Sequence, residues 1–260
     1  MTITAQNTGT TGTGRVPMDK LRKTALVAGG LYLLTFIASI PTLGLKGPLR
    51  GDPGAFILGA GSDTGVLLGG YLDLVTALAG VGTAVALFPV VKRQNESLAL
   101  GFVAARILEA AVLFVGAVSV FSVVTLRQDM GGAAGADRAA LVTTGQSLVA
   151  VHDWAFLTSP GLMPAVNALL LGSLMYRSGL VPRVIPLMGL IGAPLLVASA
   201  TATIFGVFDQ LSVWSGIATI PIFFWELSLG LWLVVKGFRP SPVTAGMVAG
   251  TPVGYRGVDA

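Results

Sequence analysis

The sequence contains no cysteine and a single histidine, His152, among its 260 residues. Without cysteine there is no disulfide, no thiolate nucleophile and no cysteine-held zinc or iron–sulfur centre. One histidine excludes a two-histidine metal or haem site within one chain. Charge is scarce as well. Asp, Glu, Lys and Arg make up 11% of the residues, against roughly 25% in soluble globular domains. A chain this poor in charge cannot cover a water-facing surface. HExxH, Walker and GxSxG motifs are missing, and no lysine lies in the middle of an apolar segment. No cofactor, no metal and no enzymatic constellation is expected. The net charge of +4 carries no aromatic-basic patch, so no nucleic-acid partner is expected either.

What is present is apolar. Hydrophobic residues reach 53% and the mean hydropathy is +0.82. Six apolar segments, roughly 24–44, 66–90, 98–124, 149–175, 184–207 and 213–235, are each long enough to cross a bilayer. They are too long and too continuous for the alternating strands of a membrane barrel. The expected fold is all-α: one integral membrane bundle of six transmembrane helices over residues 19–238, with the lipid bilayer as its partner. Residues 1–18 (with TGTTGTG) read as a flexible tail without the features of a signal peptide, and 239–260 as a disordered tail punctuated by Pro and Gly.

The connections carry the orientation. Eleven Lys and Arg flank the segments on the side of the termini and four lie on the other side, which predicts cytoplasmic termini. The other side has two longer loops, near 45–65 and 126–148. AFILGAG in the first is suited to lying along the interface. Gly65 and Gly69, and Gly101 and Ala105, have the small-residue spacing that lets helices approach closely. NES at 95–97 matches a glycosylation acceptor but falls in an expected cytoplasmic loop, where the match is accidental.

Five charges fall inside the segments: Asp73, Arg106, Glu109, Asp153 and Glu226, with His152 beside Asp153. A central charge costs about 2.5–3.5 kcal/mol on an insertion scale. A chain keeps such residues when they pair, face the interior or work. Arg106 and Glu109 are three apart and share a helix face. At 1.5 Å per residue, Glu109 and Glu226 both fall near mid-span, with Arg106 about one turn nearer the termini. Arg106 would bridge the two carboxylates if segments three and six meet. Asp73, His152 and Asp153 sit nearer the other face and suit a second cluster between segments two and four. Within TSPGLMPAVN (158–167), Pro160, Gly161 and Pro164 predict a kink or break in segment four, with Asn167 just beyond it. Transporters hold solutes at such breaks, while a plain proline kink is the simpler alternative.

RKTALVAGGLYLLTFIAS near the start, ARILEA in segment three, LLGSLMYRSGLVPRVIPLMGLIGAPLL across segments four and five, and ELSLGLWLVVKGF at the end form an ordered pattern. Over roughly residues 20–240 this pattern resembles the bacterial membrane-protein family catalogued as domain of unknown function 4386. The resemblance implies a six-span protein of the bacterial cytoplasmic membrane. It implies no activity and transfers no site residues.

Three function classes remain open. The first is binding or transport of a small solute or ion near Arg106, Glu109, Glu226 and the 160–164 break. The second is a structural or partner protein whose charges only fix helix packing, with protein partners unknown. The third is an intramembrane enzyme using His152, Asp153 or the carboxylates, for which no nucleophile or metal constellation is visible.

Overall fold

In a computed structural model of the chain, residues 19–129 and 136–248 are described. The expected tail 1–18 and the end of the C-terminal tail lie outside them. The described residues are helical and contain no strand. The helices are α1 (Lys20–Leu45), α2 (Gly47–Gly51), α3 (Pro53–Ile57), α4 (Asp63–Val91), α5 (Glu96–Asp129), α6 (Ala136–Thr158), α7 (Met163–Ser178), α8 (Val184–Ile204), α9 (Val213–Val235) and α10 (Ala245–Val248). Counting α6 and α7 as one interrupted span, six helices are long and apolar enough to cross a membrane. The chain is a multi-pass membrane bundle, because only helices with internally satisfied backbones can pass hydrocarbon singly.

The spans form a closed ring. α1 packs on α4 and α9, α4 on α5, α5 on α6 and α7, α7 on α8, and α8 on α9. Sequence neighbours are spatial neighbours, as short connections between antiparallel helices require. The α7–α8 hairpin shows how such a connection is made. Gly179 ends α7 in the left-handed region at φ 65°, a conformation costly for residues with a Cβ. Leu180 and Val181 then turn inward and are buried.

The half of the ring nearest the termini is filled. Tyr32, Phe102, Leu171, Met175, Trp225 and Leu233 belong to one buried cluster there. α1 and α9 approach closely at a glycine pair: a Cβ on Gly29 would lie 2.7 Å from the Gly230 carbonyl oxygen. Arg22 closes the same end by donating to the Leu233 and Val234 carbonyls of α9 at 3.0 and 2.6 Å, which suits a cation at a helix C-terminus.

The opposite end is capped by the 46–62 connection. AFILGAG, suited by its sequence to the interface, packs one side onto the bundle. It forms α3 and a turn, with Phe56 and Ile57 buried against Val66, Val120, Val123 and Val149. Arg127 makes this possible. Its guanidinium donates to the carbonyls of Phe56, Gly59, Ala60 and Gly61, and its Nε pairs with Asp63 at 2.9 Å.

The start of the C-terminal stretch also differs from the disorder expected from residue 239. The Arg239 amide donates to the Leu180 carbonyl at 2.8 Å, and the Ser241 hydroxyl to the Ser178 carbonyl at 2.6 Å. Met247 packs on the large core. The α7–α8 turn leaves carbonyls without helical partners, and residues 239–241 supply donors to two of them.

Candidate functional site

Arg106 stands ten residues into α5 and Glu226 nine residues before the end of α9. Both are therefore about 14–15 Å from the end that carries the termini, at 1.5 Å per residue. At this shared level Arg106 donates from Nη1 to Glu109 Oε2 at 3.0 Å and from Nη2 to Glu226 Oε1 at 2.7 Å. The guanidinium thus joins α5 to α9 across the ring. Tyr32 on α1 accepts a third bond from Nη2 at 3.3 Å. Asn167 on α7 donates to Glu109 Oε2 at 2.7 Å. Arg106 is 5% exposed and Asn167 1%, so these are charge-assisted bonds among largely buried groups.

The helix break lies beside this group. Residues 159–162 interrupt the fourth span between α6 and α7. Its amides are used locally: Gly161 donates to the Phe156 carbonyl, and Leu162 and Met163 to that of Ser159. Pro160 and Pro164 carry no amide hydrogen. The break therefore offers no spare donor, and these residues act as walls. The Ser159 hydroxyl donates to the Glu109 backbone carbonyl at 2.8 Å, tying the break to α5. Gly161 is there because of crowding: a Cβ would lie 2.4 Å from the Leu157 carbonyl oxygen.

A cavity of about 200 Å³ sits against the charges. Every span contributes to its lining, including Thr35 of α1, Thr76 of α4, Glu109 of α5, Pro164 of α7, Leu196 of α8 and Glu226 of α9. It therefore lies on the axis of the ring. A second cavity of about 370 Å³ reaches from it to the α8–α9 connection. The two share Pro160, Leu196, Thr219 and Phe223.

The outer group of expected site residues is arranged differently from the expectation. No direct bond joins Asp73 to His152. Lys46, at the end of α1, lies between them, with Nζ 2.6 Å from Asp73 Oδ2 and 3.2 Å from His152 Nε2. Its ammonium donates, so His152 accepts at Nε2 and carries its hydrogen on Nδ1, which faces Asp153 Oδ1 at 3.0 Å. Lys46 is 0% exposed. Burial pushes its ammonium below the usual lysine range, opposed by the charge and hydrogen bond of Asp73. Gly69 makes the room, since a Cβ there would lie 2.8 Å from Lys46 Cγ.

Arg50 joins the same region, its guanidinium 4.2 Å over the Phe156 ring. In the sequence alone, Lys46 and Arg50 count only among the four basic residues flanking the segments on the side away from the termini. The signal for Lys46 was the pair Gly69 and Asp73, a gap and a carboxylate one turn apart on the facing helix.

No curated protein and no solved structure shows significant similarity to the chain. The family model described as "Domain of unknown function (DUF4386)" matches residues 27–237, a stretch that contains the ring, the Arg106 group and both cavities. The chain belongs to that family, whose description assigns no function.

Proposed function

We propose that this is a protein of the bacterial cytoplasmic membrane that binds, and carries across, a small solute or ion at the midplane site. The observation that carries the reading is the axial cavity. All six spans line it, and the ionic group of Arg106, Glu109 and Glu226 forms one wall. A purely structural salt bridge needs no such space, and interiors normally close-pack. The eleven-to-four distribution of basic residues supports cytoplasmic termini. With that orientation the filled half of the ring faces the cytoplasm and the larger cavity faces outward, as in one state of an alternating carrier.

The test is thermal unfolding of the detergent-purified protein against a panel of metabolites, ions and pH values. A ligand of the native state raises the midpoint by mass action. The expected result is a reproducible rise with at least one compound, abolished by Glu226→Gln. A flat response across the panel would sink this reading in favour of the second. In that second reading Arg106, bonded to two glutamates and a tyrosine, only locks the register of α1, α5 and α9.

A further inference from the structure

The class of ligand follows from three features of the same site. The first is the sign of the charge. Arg106 is the only cation at the midplane group, and it faces two carboxylates, Glu109 and Glu226. The remaining titratable group in contact is the Tyr32 phenol. Asn167 from α7 and the hydroxyls of Thr35, Ser39, Thr76 and Thr219 are neutral. With arginine always protonated, the group carries one negative charge in excess when both carboxylates are ionised. An anionic ligand would meet that excess. A monocation, or a proton, cancels it.

The second feature is free acceptor capacity. Glu109 uses Oε2 for both Arg106 and Asn167, and Glu226 uses Oε1 for Arg106. Among the described residues nothing donates to Glu109 Oε1 or Glu226 Oε2. Each glutamate side chain keeps some exposure, 13% and 15%, and both line the axial cavity. Two free carboxylate oxygens suit the N–H groups of an ammonium. A hard metal ion would want six or more oxygens.

The third feature is the shape of the space. Phe36 and Phe223 form an edge-to-face pair at 5.1 Å and both line the charged cavity, offering ring faces to a cation. Beyond them the larger cavity is walled by Leu43, Phe156, Leu157, Leu196, Ile220 and Phe223. Its far mouth is polar, with Gln210 and Ser212. A ligand with a charged head and an apolar body would occupy both chambers, and a bare ion would fill neither.

We propose that the site takes a small organic monocation, an ammonium head between Glu109 and Glu226 with an apolar body in the adjoining chamber, admitted from the end opposite the termini. This rests on the binding reading above and makes it specific. Protons and the ligand compete for the same carboxylates, so binding weakens as pH falls.

The experiment is calorimetric titration of the full chain in detergent with 2-phenylethylammonium, 2-phenylethanol, phenylacetate and tetramethylammonium. The expected order puts 2-phenylethylammonium at least tenfold ahead of the other three. Glu226→Gln should weaken it at least tenfold. Gly216→Phe is a second variant that leaves the charges untouched. Gly216 lines the larger cavity, and a Cβ there meets nothing within 4 Å. It should weaken the phenyl compound and spare tetramethylammonium.

Equal binding of the alcohol, or tighter binding of phenylacetate, would overturn the cation assignment while leaving a binding site. Tetramethylammonium matching the phenyl compound would overturn the apolar chamber. No binding of any of the four, with a rise from some other compound in the thermal panel, overturns the proposal alone. Silence in both experiments removes the binding reading as well.

Discussion

The two buried ionic groups of this bundle are built on opposite principles. At the midplane, one guanidinium is set against two carboxylates, and the group borders a cavity. Toward the far end, Lys46 pairs with Asp73, while Arg50 over Phe156 and Asp153 beside His152 add one charge of each sign, so the formal charges balance. Lys46, Asp73 and His152 line neither of the two cavities described above. The stem of Lys46 fills the lane left by Gly69, and its nitrogen has a partner on each side. A balanced group whose ionic residues line neither cavity is a clasp between α1, α4 and α6. An unbalanced group beside a cavity has something left to bind. Charge inside a membrane protein is therefore informative less by its presence than by its surplus and by the room next to it.

The largest expected effect tests the clasp. Asp73→Ala leaves a fully buried ammonium without its carboxylate, which should cost about 3–5 kcal/mol, read as a drop in the unfolding midpoint in detergent. The penalty should shrink in alkali. Burial already holds Lys46 below the ordinary lysine value, so the unfolded chain binds this proton more tightly than the fold does. Stability linked to Lys46 therefore rises with pH through the window from the lowered folded value up to 10.5. Removing Asp73 takes away the raising influences and widens that window downward. The cost of Asp73→Ala should be greatest near neutrality and smaller at high pH. A pH-independent cost would mean that Lys46 is not charged in the fold. The double variant Lys46→Met with Asp73→Leu should regain most of the loss, since apolar residues of similar volume often replace a buried pair without penalty.

Much of this was legible in the sequence, and the reasons are physical. Lipid demands long uninterrupted apolar runs, so the six spans could be read directly. The rise per residue converts position into depth, which was enough to place Glu109 level with Glu226 and Arg106 about one turn away, within reach of both. Depth does not say what a long flexible side chain does. Lys46 sits at a helix end, where it reads as a loop charge, yet its stem turns back into the ring. The 46–62 connection was opaque for a related reason. Its burial depends on Arg127, some seventy positions later, holding carbonyls that local sequence leaves free.

A smaller effect on stability is expected at the midplane, although the functional effect there is larger. Glu226→Gln keeps an acceptor oxygen for Arg106, and Glu109 still neutralises the guanidinium. The fold should lose only about 1 kcal/mol, while binding is lost. The separation of the two readouts is what distinguishes a site from a clasp. If Glu226→Gln destabilised the protein as much as Asp73→Ala, the midplane group would be structural and the comparison would fail.

The smallest effect is expected at Asp153, and it sharpens the account of the clasp. The Asp153 side chain is 49% exposed, so its bond to His152 competes with water or lipid headgroups. Asp153→Asn keeps an oxygen that can accept from Nδ1, and the change should cost about 0–1 kcal/mol. The imidazole reports the mechanism independently. Lys46 donates to Nε2, so nitrogen NMR of His152 should show the Nδ1–H tautomer in the parent and in Asp153→Asn alike. In Lys46→Met the donor at Nε2 is gone, and the tautomer preference should relax toward a mixture. A shift to Nε2–H in Asp153→Asn alone would show that the exposed carboxylate orients the ring. The clasp would then be centred on His152 rather than on the buried lysine.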